Sequence, residues 1–252
     1  MAGIKGREGF LVTEAIRGEG ATLHAPDSGE RFVEELAPRD EVAVAIMRQL
    51  ERTGARSVGL DMRHLDPALF PNVVAALQEA GLDPTRELVP VAPAAHYGMG
   101  GIVTDLHARS TVPGLLAVGE TACTGLHGAN RLASNSLSEC FVFGARAAAA
   151  ALDEPAPPAG AQPPAAEPLP APTRETRVAM DRCLGIERTA ASLRSMLDDP
   201  YPLTRLIAAS ALAREESRGA HRRADFPERD PALDHRHLVH PSSANPCYET
   251  WE

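Results

Sequence analysis

Residues 96–144 read HYGMGGIVTDLHARSTVPGLLAVGETACTGLHGANRLASNSLSECFVFG, and this stretch decides the reading of the chain. It holds more Gly, His, Arg, Asn and Ser than a packing core uses. Glycines let a backbone approach a bulky ligand, and a Ser-Asn-Ser run followed by apolar helical spacing opens a helix whose first N–H groups face outward. LLAVGE (115–120) reads as a short buried strand and SLSECFVFGARAAAAALDE, from Ser136, as a long helix with small residues on one face. Strand, Glu120, glycine-bearing loop and helix start together form an arrangement suited to a dinucleotide. The acid accepts from ribose hydroxyls, and the helix N-terminus offers donors and partial positive charge to a ring or phosphate. An ordinary capped helix would show the same Ser and Asn.

Upstream, DEVAVAIMRQLERTG reads as an amphipathic helix with Asp40 as N-cap, Val42, Ile46 and Leu50 on one face, and Gly54 as its stop. SVGLDMRHL alternates Val58, Leu60 and Met62 with small or polar residues, a strand period, and PALFPNVVAALQEAGL gives a second helix closed by Gly81. Downstream, residues 154–173 hold eight of the chain's 22 prolines and no aromatic residue, the composition of an extended linker. RETRVAMDRCLGIERTAASLRSML and PLTRLIAASALAREESRG carry 3.6-residue stripes that suit a helical bundle, followed by an irregular tail rich in His and Pro. The fold class expected is therefore α/β (α+β), followed by a C-terminal helical bundle domain.

At 252 residues, 44% apolar and 23% charged, the chain is long enough for a substantial core, and no apolar run approaches the ~20 residues needed to span a bilayer. The start, MAGIKGREGF, has no apolar signal region, so the cytoplasm is the expected location. Cys123, Cys140, Cys183 and Cys247 lack CxxC spacing and are expected as free thiols, with no metal site. A net charge of −9 argues against a nucleic-acid partner, and the cluster His221–Arg223 reads as solvated surface.

GETACTGLHGANRLASNSL, with AAHYGMGGIVTD before it, closely resembles the L-aspartate oxidases, in the flavoprotein family that includes fumarate reductase and succinate dehydrogenase. The likeness extends to FLVTEAIRGEGA (10–21), ELAPRD (35–40), LGIERT (184–189) and REESRGAH (214–221). It implies FAD-dependent oxidation of L-aspartate to iminoaspartate, the first step of quinolinate and NAD synthesis, with oxygen or fumarate as electron acceptor and quinolinate synthase as a candidate partner. It also places Glu120 on the FAD ribose and the helix start at Asn135, Ser136 and Leu137 on the flavin pyrimidine edge. Thr13, His96 and Arg131 fall on the substrate-binding positions for a dicarboxylate. Arg39 falls on the proton donor or acceptor, with Glu14 and Arg17 as its relay. An arginine with a pKa above ~12 suits that task only when buried beside other cations and served by a carboxylate.

The family's opening strand and GxGxxG loop, which hold the FAD pyrophosphate, have no counterpart in the sequence. The resemblance therefore divides the chain into the remainder of a substrate-capping domain (1–90), the C-terminal part of an FAD-binding domain (91–153), the Pro/Ala-rich linker (154–173) and a helical domain with its tail (174–252). Members also carry a second substrate His and an amino-group Glu upstream of Thr13. Two rivals stand beside this reading. A fumarate reductase or succinate dehydrogenase fragment would usually read GGIPTN and GANSLLD where this chain has GGIVTD and ASNSLSE, and a non-catalytic remnant would bind a partner, the missing half included, through exposed apolar surface.

Overall fold

Val58, Leu60 and Met62 point to one side of an extended segment, and that alternation organises the first part of the molecule. The computed structural model describes residues 9–155, 168–241 and 245–251. These divide into two compact units, 1–97 and 98–252.

In the first unit, a short helix α1 (Ala15–Gly18) leads to strand β1 (Thr22–His24), helix α2 (Arg39–Thr53), strand β2 (Val58–Asp61), helix α3 (Pro71–Glu79) and strand β3 (Val89–Val91). The strands form an antiparallel sheet in the order β1-β2-β3, with Leu23 opposite Leu60 and Leu60 opposite Val89. Their inward residues pack with Val42 and Ile46 of α2 and Val74 and Leu77 of α3 in one apolar core. Helix α2 ends at Gly54 as its sequence predicts, but its N-cap is Pro38, so Arg39 opens the helix and Asp40 lies in the first turn. Proline with its fixed φ leaves the helix start to the residues after it, where Asp40 and Glu41 face the positive end of the dipole. The second predicted helix is divided: a 3₁₀ turn at Pro67–Leu69 precedes α3, because Pro71 cannot continue a preceding helix.

In the second unit, β4 (Ile102–Val103) pairs in parallel with β5 (Ala122–Cys123), and a 3₁₀ turn at Gly119–Thr121 leads into β5. Helix α4 (Asn135–Leu152) follows, then α5 (Arg174–Cys183), α6 (Ala190–Arg194), α7 (Pro202–Ala213) and the antiparallel pair β6 (Arg236–Val239) and β7 (Cys247–Thr250). Four sequence expectations are corrected here. LLAVGE is not a strand: Ser110 N–H donates to Leu115 and Ala117 N–H to Ala108, so this segment's hydrogen bonds go to a local turn, leaving one bridge between Arg109 and Leu116. The segment 174–197 is two helices, because Thr189 and Ser192 form a capping box that starts α6 afresh. The tail carries a two-stranded sheet. The cluster at 221–223 is not solvated surface, since Arg223 is 1% exposed. Most of the proline-rich stretch, 156–167, lies outside the described residues.

Helices α5 to α7 contribute to a small apolar cluster that includes Leu184, Leu193, Met196, Ala208 and Ala211. All four cysteines are free thiols. None of the described helices is long and apolar enough to cross a membrane.

Candidate functional site

The first unit gathers charge at the start of α1. Thr13 accepts from the Ala15 amide at 3.4 Å, a local turn that sets the chain into the helix. Glu14 is the N-cap residue, and its carboxylate lies between two arginines. Arg17 approaches it at 3.9 Å, and Arg39, the first residue of α2, donates to it directly. Arg17 also donates to the Glu35 backbone carbonyl. Burial pulls the Arg17 guanidinium below its ordinary value; Glu14 opposes that and the positive charge of Arg39 adds to it. Two cations thus share one carboxylate at part-exposed positions.

Glu35 completes this group, and the sequence reading passed over it. Its side chain is almost fully buried, accepts from the Leu23 amide at 2.9 Å and from Arg31 at 2.5 Å, and so ties the loop before α2 to strand β1. Burial alone would raise its carboxyl, but Arg31 and the Leu23 amide outweigh it and hold the group below the usual carboxylate value. His96 stands apart. It is exposed and makes no hydrogen bond among the described residues.

The second unit holds the remaining predicted residues. Glu120 sits on the Gly119–Thr121 turn, where one carboxylate oxygen accepts from the Gly98 amide at 2.8 Å. The turn abuts α4 closely: a Cβ on Gly119 would stand 3.0 Å from Cys140 Sγ. Gly101, at φ +142°, lies against the same turn, and a Cβ there would fall 2.4 Å from the Thr121 carbonyl oxygen, so only glycine fits.

Helix α4 starts under strain. Its N-cap, Ser134, is left-handed at φ +60° and gives no side-chain cap, a conformation costing roughly 1 kcal/mol in a non-glycine residue. The Asn135 and Leu137 amides turn back to Leu132 and Ser134 at 3.2 Å, while Ser136 makes no such bond. A helix N-terminus without a side-chain cap, in the same unit as an acid on a glycine-lined turn, fits the needs of FAD: an acceptor for ribose hydroxyls, room for close backbone approach, and the Ser136 amide as a donor for an electron-rich ring.

Arg131 is 7% exposed and donates to the Leu132 carbonyl at 3.1 Å. The loop before it is anchored by a residue that the sequence reading also missed. Glu139, 2% exposed, accepts from Thr124 Oγ1 at 2.6 Å and pairs with His127 Nε2 at 2.8 Å. The signal was available: Glu139, Phe143 and Ala150 form the buried stripe of α4, so an acid on that stripe must have polar partners. Thr13, Glu14, Arg17, Arg39 and His96 thus belong to the first unit, and Glu120, Arg131, Asn135, Ser136 and Leu137 to the second. Among the described residues no group of three His, Cys, Asp or Glu side chains is placed to hold a metal ion.

Comparison with known proteins gives the chain a family. The FAD binding domain family matches residues 1–137, and the fumarate reductase flavoprotein C-terminal family matches residues 189–247. An L-aspartate oxidase of Caulobacter vibrioides is 47% identical over 248 residues, covering 88% of this chain and 47% of that protein. An L-aspartate oxidase of Rhodospirillum rubrum is 45% identical over 230 residues, covering 80% of this chain and 82% of that protein. Among solved structures, a quinol-fumarate reductase with menaquinol molecules superposes with a TM-score of 0.78 at 30% identity, covering 96% of this chain and 56% of that one. A variant quinol fumarate reductase of E. coli gives 0.74 at 30% identity over the same shares. The chain spans about half the length of most of the curated relatives it matches.

Proposed function

Since the chain belongs to the L-aspartate oxidase family of FAD-binding flavoproteins, we propose that it serves in the FAD-dependent oxidation of L-aspartate to iminoaspartate. Oxidising the Cα–N bond to an imine removes two electrons and two protons. FAD, held by Glu120 and the Asn135–Leu137 helix start, would supply the two-electron acceptor, with oxygen or fumarate as the final acceptor. The chain's own residues hold the substrate and move protons.

In this reading Arg131 clamps a carboxylate of the dicarboxylate, with His96 and Thr13 as further donors. A guanidinium can hold a carboxylate through two parallel hydrogen bonds and so fix its orientation as well as its charge. Glu120 and the Asn135–Leu137 helix start hold the ribose and the flavin ring. Arg39 is the proton donor or acceptor, and Glu14 passes the proton between Arg39 and Arg17. The observation that carries the proposal is the Glu14 carboxylate shared by the two guanidiniums of Arg17 and Arg39.

The reading assigns 1–90 to a capping region, 91–153 to the FAD-binding domain and 174–252 to a helical bundle domain. Quinolinate synthase is the expected consumer of the product, and a cytoplasmic setting suits the four free thiols.

The test compares the chain alone with the chain combined with the remaining half of a relative, measuring FAD retention and L-aspartate turnover. Arg39→Leu is expected to abolish turnover, by about a thousandfold or more, with FAD retained. Turnover by that variant within about tenfold of the unaltered protein would reject the acid-base role. Glu120→Ala is expected to weaken FAD retention; unchanged retention would reject the ribose contact. Succinate oxidation without L-aspartate oxidation would replace this reading with a dicarboxylate dehydrogenase.

A further inference from the structure

The loop Thr124–Arg131 is gripped from three directions within the second unit. Glu139 holds Thr124 and His127 from α4. The Trp251 ring lies against Gly125, where a Cβ would stand 3.0 Å from Cε3. The third grip comes from the turn Arg218–His221, ninety residues further along the chain. The Ala220 amide donates to the Ala129 carbonyl at 2.8 Å, and a Cβ on Gly219 would stand 2.5 Å from that same oxygen. Gly219 is also left-handed, at φ +51°, so the position excludes side chains on two independent grounds.

This turn is built to be rigid, and it is built from charge. Arg218 and His221 exchange backbone hydrogen bonds at 2.8 and 3.0 Å. The Arg218 guanidinium is fixed by Glu216 at 2.6 and 2.8 Å and by Asp234 at 2.8 Å. Glu216 is fully buried and accepts in addition from Arg214 at 2.6 Å and from the Asp230 amide at 2.9 Å. Burial alone would raise its carboxyl, but Arg218, that amide and Arg214 outweigh it and hold it ionised below its usual value. Such a directional network fixes the position of a backbone turn where non-directional apolar packing would leave it free to slide. What it presents is one N–H and one bare Cα, both against the backbone two residues before Arg131.

We propose that the turn Arg218–His221 is a positioning element that sets the backbone of the 124–131 loop, and through it the guanidinium of Arg131, for a dicarboxylate. Gly219 and Ala220 are its contact residues. The inference rests on the reading of Arg131 as a carboxylate clamp. It gives the C-terminal region a task in substrate binding, since an orienting group displaced by a fraction of an ångström loses much of its effect.

The test uses the full chain combined with the remaining half of a relative, in the unaltered form and as Gly219→Ala. Gly114→Ala is the control: Gly114 has the same left-handed conformation, φ +79°, but open space where a Cβ would go. Amide hydrogen exchange over 124–131 and affinities for FAD and L-aspartate are measured on each. In Gly219→Ala, exchange in the loop should quicken about tenfold and L-aspartate affinity should fall about tenfold, with FAD affinity unchanged. Gly114→Ala should move none of the three. Asp234→Asn, which slackens Arg218 without adding bulk, should act in the same direction more weakly, and decides the matter if Gly219→Ala does not fold. Unchanged loop exchange in Gly219→Ala or, where that variant does not fold, in Asp234→Asn, or equal quickening in the control, overturns the proposal. An unaltered protein that binds no L-aspartate also overturns it, and quickened loop exchange in that case shows that the fault lies in the reading of Arg131.

Discussion

The apolar core cluster of unit 1–97 is twelve residues around a three-stranded sheet, with Glu35 as the one buried charge among the unit's described residues. In unit 98–252 the corresponding apolar cluster is five residues, and Arg131, Glu139, Glu216 and Arg223 are buried beside it or elsewhere in the unit. Apolar burial is non-directional and tolerates small shifts, whereas each buried charge must meet partners at hydrogen-bond distance or cost several kcal/mol. The second unit therefore trades tolerance for fixed geometry. Arg223 shows this: it donates to the Ala211, Leu212 and Arg214 carbonyls at the end of α7, pairs with Asp225 and lies over the Phe226 ring. One side chain thus terminates a helix and locks the following loop.

The comparison breaks most visibly at Glu216. Glu216→Ala should destabilise the second unit by about 3–5 kcal/mol, because Arg214 and Arg218 lose their shared buried acceptor. Calorimetry should show one transition lowered and the first unit's unmoved; a loss below about 1 kcal/mol would mean that the network is solvated and the contrast is false. Leu77→Ala is the counterpart in the first unit. Leu77 is fully buried, and its truncation should cost about 3 kcal/mol in that unit's transition alone.

Acid sharpens the contrast with a smaller effect. His221 is held neutral by burial among Arg188, Arg214 and Arg223, although the Arg214 carbonyl bonded to its ring works the other way; its value falls from 6.5 to about 4. Between those values the unfolded chain takes up a proton that the folded one refuses, so the second unit should lose stability as pH falls from 6.5 to 4, on the order of 2 kcal/mol. In the first unit Asp61 is lowered to about 2, chiefly by its hydrogen bond from Arg63, so its contribution persists until pH falls below 3.8. Unfolding at a series of pH values checks this, and His221→Gln should shrink the second unit's loss in that window, leaving the part due to His237, which burial also lowers.

The same contrast explains what could be read from the sequence. Val58, Leu60, Val42, Ile46 and Leu77 announced β2, α2 and α3 because apolar periodicity records which face is buried. The motifs around Glu14 and Arg17, Glu120, Arg131 and Asn135–Leu137 were legible as family likeness. Arg223 was misread as surface because its burial depends on carbonyls at the end of α7 and on Asp225, none of which leaves a periodic trace. LLAVGE has the composition of a buried strand, yet its hydrogen bonds are satisfied by the turn at 108–117. Glu139 lies on the buried stripe of α4, where an acid needs polar partners, whereas Glu35 is enclosed through its contact with the Leu23 amide of β1, which leaves no periodic trace.

The measurement that bears most directly on the account is anaerobic reduction of bound FAD by L-aspartate, followed by flavin absorbance, in the chain combined with the remaining half of a relative. The account predicts bleaching in the unaltered protein, none with Arg131→Leu, and FAD retained in both. Bleaching that survives Arg131→Leu, or FAD retained without any bleaching in the unaltered protein, would contradict it.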